Sequence, residues 1–218
     1  MAVTAAGPDS PSSPSRAARR RHGTGPASVL ALLVLQLAGG SAPATAGGGP
    51  REPEVVALDA EASRAVFHVR TRWGQRIAGR LPALGGERRV LADGRHQVRI
   101  ALDAAGVELG GPGRLEEIAR SDRFFDADAH PQIVFLSDPY PASVVEHGGQ
   151  VHGWLEMRGV RRPESFTLEP ASCPEPGTAC PVIAHGSVDR GDYGMDAMRV
   201  ALTGSVHFDL RLWLEPMP

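Results

Sequence analysis

The chain predicts an all-β fold of short antiparallel strands, arranged as a sandwich or a closed barrel. Three observations carry that prediction. Apolar residues recur at every second position, turn residues separate the runs at fairly regular intervals, and helical periodicity is almost absent. The alternation is clearest near the end of the chain. There Val206, Phe208, Leu210 and Leu212 alternate with His207, Asp209, Arg211 and Trp213, as expected for a strand with one dry and one wet face.

Taken in order, the first segment stands apart from that pattern. Arg16, Arg19, Arg20 and Arg21 precede an apolar run from Ala27 to Ala38, and the small residues Ala44-Thr45-Ala46 follow it. This is the order of a secretory signal, and the run is well short of the roughly 20 residues a membrane-spanning helix needs. Residues 1–46 are therefore expected to be a cleaved signal peptide, and the mature protein, starting near Gly47, to be periplasmic or secreted. Residues 47–54, with Pro50 and Pro53, read as a linker, and 55–216 as one domain. Any membrane contact of that domain is expected to be transient.

The strands follow. Phe67 and Val69 oppose His68 and Arg70, and Val98, Ile100 and Leu102 oppose Arg99 and Asp103. Leu155 and Met157 oppose Glu156 and Arg158. Between them come Gly85-Gly86, Asp93-Gly94, Gly110 to Gly113, Pro139 to Pro141 and Gly148-Gly149, all turn chemistry. The one helical pattern runs from about Leu115 to Phe125.

Composition removes several functions. The chain has 218 residues with 23 basic against 25 acidic side chains, a balance that argues against nucleic acid as a partner. Every basic residue is arginine, so no lysine is present for a Schiff base or a phosphate-binding Gly-Lys-Ser loop. Without 1–46 there remain 19 arginines and 24 carboxylates, a net charge of about −5. No His-Glu-x-x-His and no Gly-x-Ser-x-Gly elbow occurs. The expectation is a protein without catalytic residues, metal ligands or a cofactor. Oligomeric state is not specified by these features.

Cys173 and Cys180 lie in "CPEPGTAC". Their spacing is not that of a Cys-x-x-Cys redox pair, and no second pair completes a zinc site. In an oxidising compartment they are expected to form a disulfide across a surface loop.

The stretch Ser121 to Phe135, "SDRFFDADAHPQIVF", combines two phenylalanines with three aspartates. Asp126-x-Asp128-x-His130 lacks the glycine and distal glutamate of a calcium loop. Asp122 or Asp126 is expected to cap or end the short helix, with Pro131 starting the next strand. Phe124 and Phe125 are expected to turn inward at one end of the fold, either lining a ligand or closing the core.

The order of motifs resembles the YceI-like family of exported, lipocalin-like proteins, some of which bind polyisoprenoids. The resemblance rests on "LDAEASRAVFHV", Gly79-Arg80-Leu81, "FFDADAHPQIVFLS", "GWLEMRGVRRP" and "VDRGDYGM". It implies an antiparallel up-and-down β-barrel of about eight strands, lipocalin-like, with one short helix. It also implies a long apolar partner: a polyisoprenoid, such as an isoprenoid quinone or an undecaprenyl-type lipid, held for transport, storage or stress protection. The alternative is a non-catalytic envelope interaction or stress-response module with a filled barrel.

The residues assigned to the apolar lining are Phe67, Val69, Val98, Ile100, Leu102, Phe124, Phe125, Ile133, Phe135, Leu155, Phe166, Met195, Val206, Phe208 and Leu210. They predict one interior almost free of charge, and the small residues Ala65, Gly153 and Gly186 are expected to leave volume open within it. The chain departs from the family where relatives carry Arg-Asp-x-x-Leu and a histidine after the first strand; here stand "RLEEIAR" and Thr71. The resemblance therefore implies a barrel without specifying the ligand's head group.

Overall fold

Pro82 is the corner on which the sheet closes. A computed structural model describes residues 53–216. The expected signal, 1–46, lies outside the described residues, as do linker residues 47–52. The strands are β1 (Glu54–Ala57), β2 (Arg64–Thr71), β3 (Arg76–Leu81), β4 (Ala83–Val90), β5 (His96–Asp103) and β6 (Glu108–Leu109), followed by β7 (Gln132–Ser137), β8 (Gly149–Met157), β9 (Val160–Leu168), β10 (Val182–Asp189) and β11 (Leu202–Leu212).

All pair antiparallel in one sheet, in the order β1-β4-β5-β7-β8-β9-β10-β11-β2-β3-β6. Only Pro82 separates β3 from β4, so the two form one bent strand that pairs with β2 through one arm and β5 through the other. Counting that strand once, the circuit has eight positions, while β1 and β6 are short additions beside its two arms. The expected barrel of about eight strands and the observed eleven are thus the same architecture, and a two-sheet sandwich is not formed.

Proline suits the corner because the ladder is broken there and no N–H is required. Its carbonyl still accepts from the Asp103 N–H at 2.8 Å. Register shifts mark two further bends, one beside the corner between Ala83 and Gly85 and one at the far end of β11 between Leu202 and Val206. The β8–β9 hairpin turns on Arg158 and Gly159, both at positive φ, as a two-residue type I′ turn requires.

Period-2 alternation is realised as read. In β8, Val151, Gly153, Leu155 and Met157 face inward while Gln150, His152, Trp154 and Glu156 are exposed. The inward residues form one continuous apolar core that includes Phe67, Ile100, Leu102, Ile133, Phe135, Leu155, Phe166, Phe208 and Leu210.

The helical reading needs correction. Helix α1 spans Arg114–Arg120 and stops before the phenylalanines. Ser121, and neither Asp122 nor Asp126, ends it: the Ser121 hydroxyl donates to the Ile118 carbonyl at 2.7 Å, and its N–H reaches Glu117 and Ile118. Asp126 serves instead as a left-handed turn residue at φ 50, a conformation that aspartate tolerates. The strand starts at Gln132, one residue after Pro131. A second helix, α2 (Ser143–His147), was not expected; five residues are too few to show a period. A single 3-10 turn, Arg190–Tyr193, follows β10.

Candidate functional site

One cross-strand row divides the interior. Val151, Phe166, Gly186, Phe208, Phe67 and Gly79 are successive partners across β8, β9, β10, β11, β2 and β3. Large and small residues alternate along much of this row, so rings fold over the glycines. A Cβ on Gly186 would lie 2.5 Å from the Phe166 ring, and one on Gly79 would lie 2.6 Å from that of Phe67. Gly153 is filled likewise, by the Phe135 ring at 2.8 Å and the Leu136 carbonyl at 2.4 Å. The expectation that Gly153 and Gly186 leave open volume is overturned: they admit aromatic rings, and Ala65 is packed at 1% exposure.

The result is a waist. Ile100, Leu102, Ile133, Phe135, Leu155, Phe166, Phe208 and Leu210 surround about 20 Å³. Phe135 and Phe166 meet edge to face there at 4.9 Å, a favoured geometry for aromatic pairs. On one side of the waist lies a wide chamber of about 630 Å³, on the other a narrow chamber of about 270 Å³.

All fifteen residues read as lining face this interior, but they do not share one wall. Val98, Ile100, Phe135, Phe166 and Leu210 line the wide chamber. Phe67, Val69, Phe124, Phe125, Met195, Val206 and Phe208 line the narrow one. Leu102, Ile133 and Leu155 belong to the waist.

The paired phenylalanines divide their labour. Phe125 is buried and stacks edge-on against Phe67 at 5.9 Å, closing the core. Phe124 is half-buried in the narrow chamber wall beneath the Arg190 guanidinium, 5.9 Å from its ring. Arg190 itself is 3% exposed. It donates to the carbonyls of Thr203 at 2.9 Å and Ala197 at 2.7 Å, and to that of Met195. These bonds hold the loop after β10 around the chamber. Beside it the buried Tyr193 hydroxyl donates to Glu164 at 2.9 Å. Burial and that bond push the Tyr193 hydroxyl far above its ordinary range.

A charge-free wall holds at the waist and, apart from Arg190, in the narrow chamber, but not in the wide one. Arg88, His96, Tyr140, Glu146, Glu175 and Glu215 all line the wide chamber. Arg88 faces inward as the cross-strand partner of both Val98 and Val56. His96 continues the inward phase of Val98, Ile100 and Leu102, which is the signal that could have found it. Tyr140 is fixed by a reciprocal backbone pair with His96, 2.8 Å in both directions.

The Cys173–Cys180 disulfide is formed, with Cα atoms 6.1 Å apart. The loop it closes sets Pro174, Glu175, Pro176 and Thr178 on the wide chamber's rim. Gly177 donates to the Cys180 carbonyl at 2.7 Å and accepts from the Leu214 N–H at 2.8 Å. The loop thereby pins the segment after β11.

Among the described residues, no group of His, Cys, Asp and Glu side chains is placed to hold a metal ion, and no helix is long and apolar enough to cross a membrane.

Solved structures share this architecture. A polyisoprenoid binding domain from Saccharophagus degradans, implicated in plant cell wall breakdown, aligns with a TM-score of 0.55 at 16% identity over 75% of this chain and 100% of that one. Burkholderia cenocepacia BcnA aligns with a TM-score of 0.51 at 15% identity over 71% and 98%. At such identities the likeness concerns the fold alone. A comparison with curated protein sequences gives no match. The model of the YceI-like domain matches residues 57–212, from the end of β1 to the end of β11. The chain belongs to the YceI-like family.

Proposed function

We propose that this protein is a carrier that holds a long apolar chain inside its barrel, and that the chain is a polyisoprenoid. The observation that carries this reading is the wide chamber of about 630 Å³, walled by Val56, Val98, Ile100, Phe135, Phe166 and Leu210. Its size falls within the range of small-molecule sites. The polyisoprenoid binding of a structural relative supports the same reading.

Energetics favour a long ligand. At about 0.8 kcal/mol per buried methylene-sized group, a five-carbon isoprene unit gains about 4 kcal/mol. Association costs on the order of 4 to 15 kcal/mol. One unit does not hold, whereas several in a row do.

Organic extraction and mass spectrometry of protein purified from its native host test the proposal, followed by titration with a prenyl lipid. Retained prenyl lipid and saturable binding are expected. Val98→Trp, which fills the chamber from a half-buried position, should weaken binding while the far-ultraviolet spectrum persists. Phe135→Asp or Leu155→Asp should abolish retention with a loss of stability. An extract without lipid together with no saturable binding rejects the carrier.

The filled waist around Phe135, Phe166 and Phe208 favours a second reading, an interaction module of the cell envelope that binds no lipid. The same titration separates the two.

Export belongs to the proposal. The signal-like residues 1–46 and a disulfide suited to an oxidising compartment support a periplasmic or secreted protein. Intact mass of the exported form should place its first residue near Gly47, and a mass that retains Ala27 to Ala38 would reject cleavage.

A further inference from the structure

Inside its rim of glutamates the wide chamber is apolar except at one corner, where Arg88, His96 and Tyr140 bring polar groups together. Arg88 on β4 and His96 on β5 are diagonal neighbours on the inner face, because His96 pairs with Val90, two residues from Arg88. Tyr140 meets His96 edge to face at 6.0 Å. One terminal nitrogen of Arg88 donates to Glu54 at 3.0 Å. Among the described residues, the Arg88 Nε and the His96 Nδ1 are buried with no hydrogen-bond partner, and the Tyr140 hydroxyl has none either. Buried polar groups are ordinarily paired, and leaving one unmade is costly. A few convergent polar groups in an apolar pocket are also what fixes a ligand's orientation.

Charge decides what such a corner accepts. Among the described residues, Arg88 is the one arginine of the wide chamber's wall, and Glu54 already offsets it. Glu146 from α2, Glu175 from the disulfide loop and Glu215 after β11 line the same chamber. The imidazole of His96 adds no second cation, since burial, and then the Arg88 charge, hold it below its usual value. Burial also keeps the Tyr140 hydroxyl protonated, pushing it up to about 12. The wall therefore offers hydrogen-bond donors within a field that is negative on balance, and such a field selects against anions.

Resting on the carrier reading above, we infer that the Arg88–His96–Tyr140 corner seats a neutral, oxygen-bearing end group, a quinone carbonyl or a prenol hydroxyl, and that the Glu146–Glu175–Glu215 rim rejects phosphate and carboxylate ends.

Matched titrations test this. The wild-type protein, Tyr140→Phe and the triple variant Glu146→Gln/Glu175→Gln/Glu215→Gln are each titrated with a prenylated benzoquinone and with a prenyl monophosphate of the same chain length. The three glutamates are exposed, so the triple variant should keep its fold. Wild type should bind the quinone at least about tenfold more tightly than the phosphate. Tyr140→Phe should weaken the quinone severalfold and leave the phosphate unchanged. The triple variant should narrow the gap by improving the phosphate, and added salt should act in the same direction. Equal binding of both lipids by the wild type, or preference for the phosphate, overturns the inference while the carrier stands. If neither lipid binds, the carrier reading fails, and the inference with it.

Discussion

Phe166 and Gly186 face each other as cross-strand partners, and the Phe166 ring occupies the space that a Gly186 side chain would need. The glycine is thus the socket of a ring at the edge of the waist.

Gly186→Ala should therefore destabilise the barrel by about 1–3 kcal/mol, the usual cost of overpacking a filled core. Gly153→Ala should be the worse of the pair. Its Cβ would meet the Leu136 backbone carbonyl at 2.4 Å, and backbone in a ladder cannot step aside as a ring can. Denaturant midpoints of the two variants check the order, and midpoints at the wild-type value would refute the socket.

The waist ring itself is expected to be costly to remove. Phe166→Ala should lose about 3–5 kcal/mol, and it should join the wide chamber to the waist. A stability unchanged within error would show that the ring is not packed as described.

Arg190 predicts a larger effect than its position on a surface turn suggests. Arg190→Met leaves the carbonyls of Thr203, Met195 and Ala197 without their donor. Each hydrogen bond to a charged group is worth about 1.5–3 kcal/mol, so the variant should unfold at clearly lower denaturant. Arg162→Met is the control: its pair with Asp192 is exposed and should matter by less than about 1 kcal/mol.

His185 gives a pH prediction. On the outer face it bonds Glu169 at 2.6 Å and Asp209 at 2.7 Å, and these contacts, Glu169 first, raise its pKa. A raised value means that the folded state holds a proton which the unfolded chain releases near about pH 6.5. The stabilisation is present in full below that point and is lost as pH rises through the folded value. His68 and His96 are shifted the other way, chiefly by burial, and oppose it in acid. Comparison with His185→Gln isolates the one histidine: the melting-temperature gap to wild type should be larger at about pH 5.5 than at about pH 8. Because the ring is exposed, the gap should correspond to less than about 1 kcal/mol.

The disulfide can be tested without touching the barrel. Cys173→Ser/Cys180→Ser should cost at most about 2–3 kcal/mol, as expected for so short a closed loop. Strand content by circular dichroism should persist. Two thiols that react in the unreduced wild type would refute the bond.

The fold was legible wherever a strand shows one face to the interior. Phe67, Val69, Ile100, Leu102, Phe208 and Leu210 all lie on the inward phase that alternation assigns. β1 and β6 were not legible, being too short to display a period, and α2 is only five residues. The division of the chamber was hidden for a different reason. Small residues open a cavity or receive a ring according to their cross-strand partner, and Gly186 opposite Phe166 is a matter of register. Arg88 was hidden as well, because "ALGGERRV" carries no apolar alternation to show which of its side chains turns inward. His96 was readable in principle, two residues before Val98.

The closing seam has a kinetic consequence. Phe67 on β2 pairs with Phe208 on β11, and Leu58 bridges Leu214, so strands far apart in sequence close the barrel. Loop closure over most of the domain must precede the contacts that reward it, which makes folding slow for its size. Until β11 arrives, β2 offers a bare edge flanked by apolar side chains such as Phe67 and Val69, the kind of surface that sticks to other chains. The vulnerable interval in folding is therefore the one between the exposure of β2 and the docking of β11 against it.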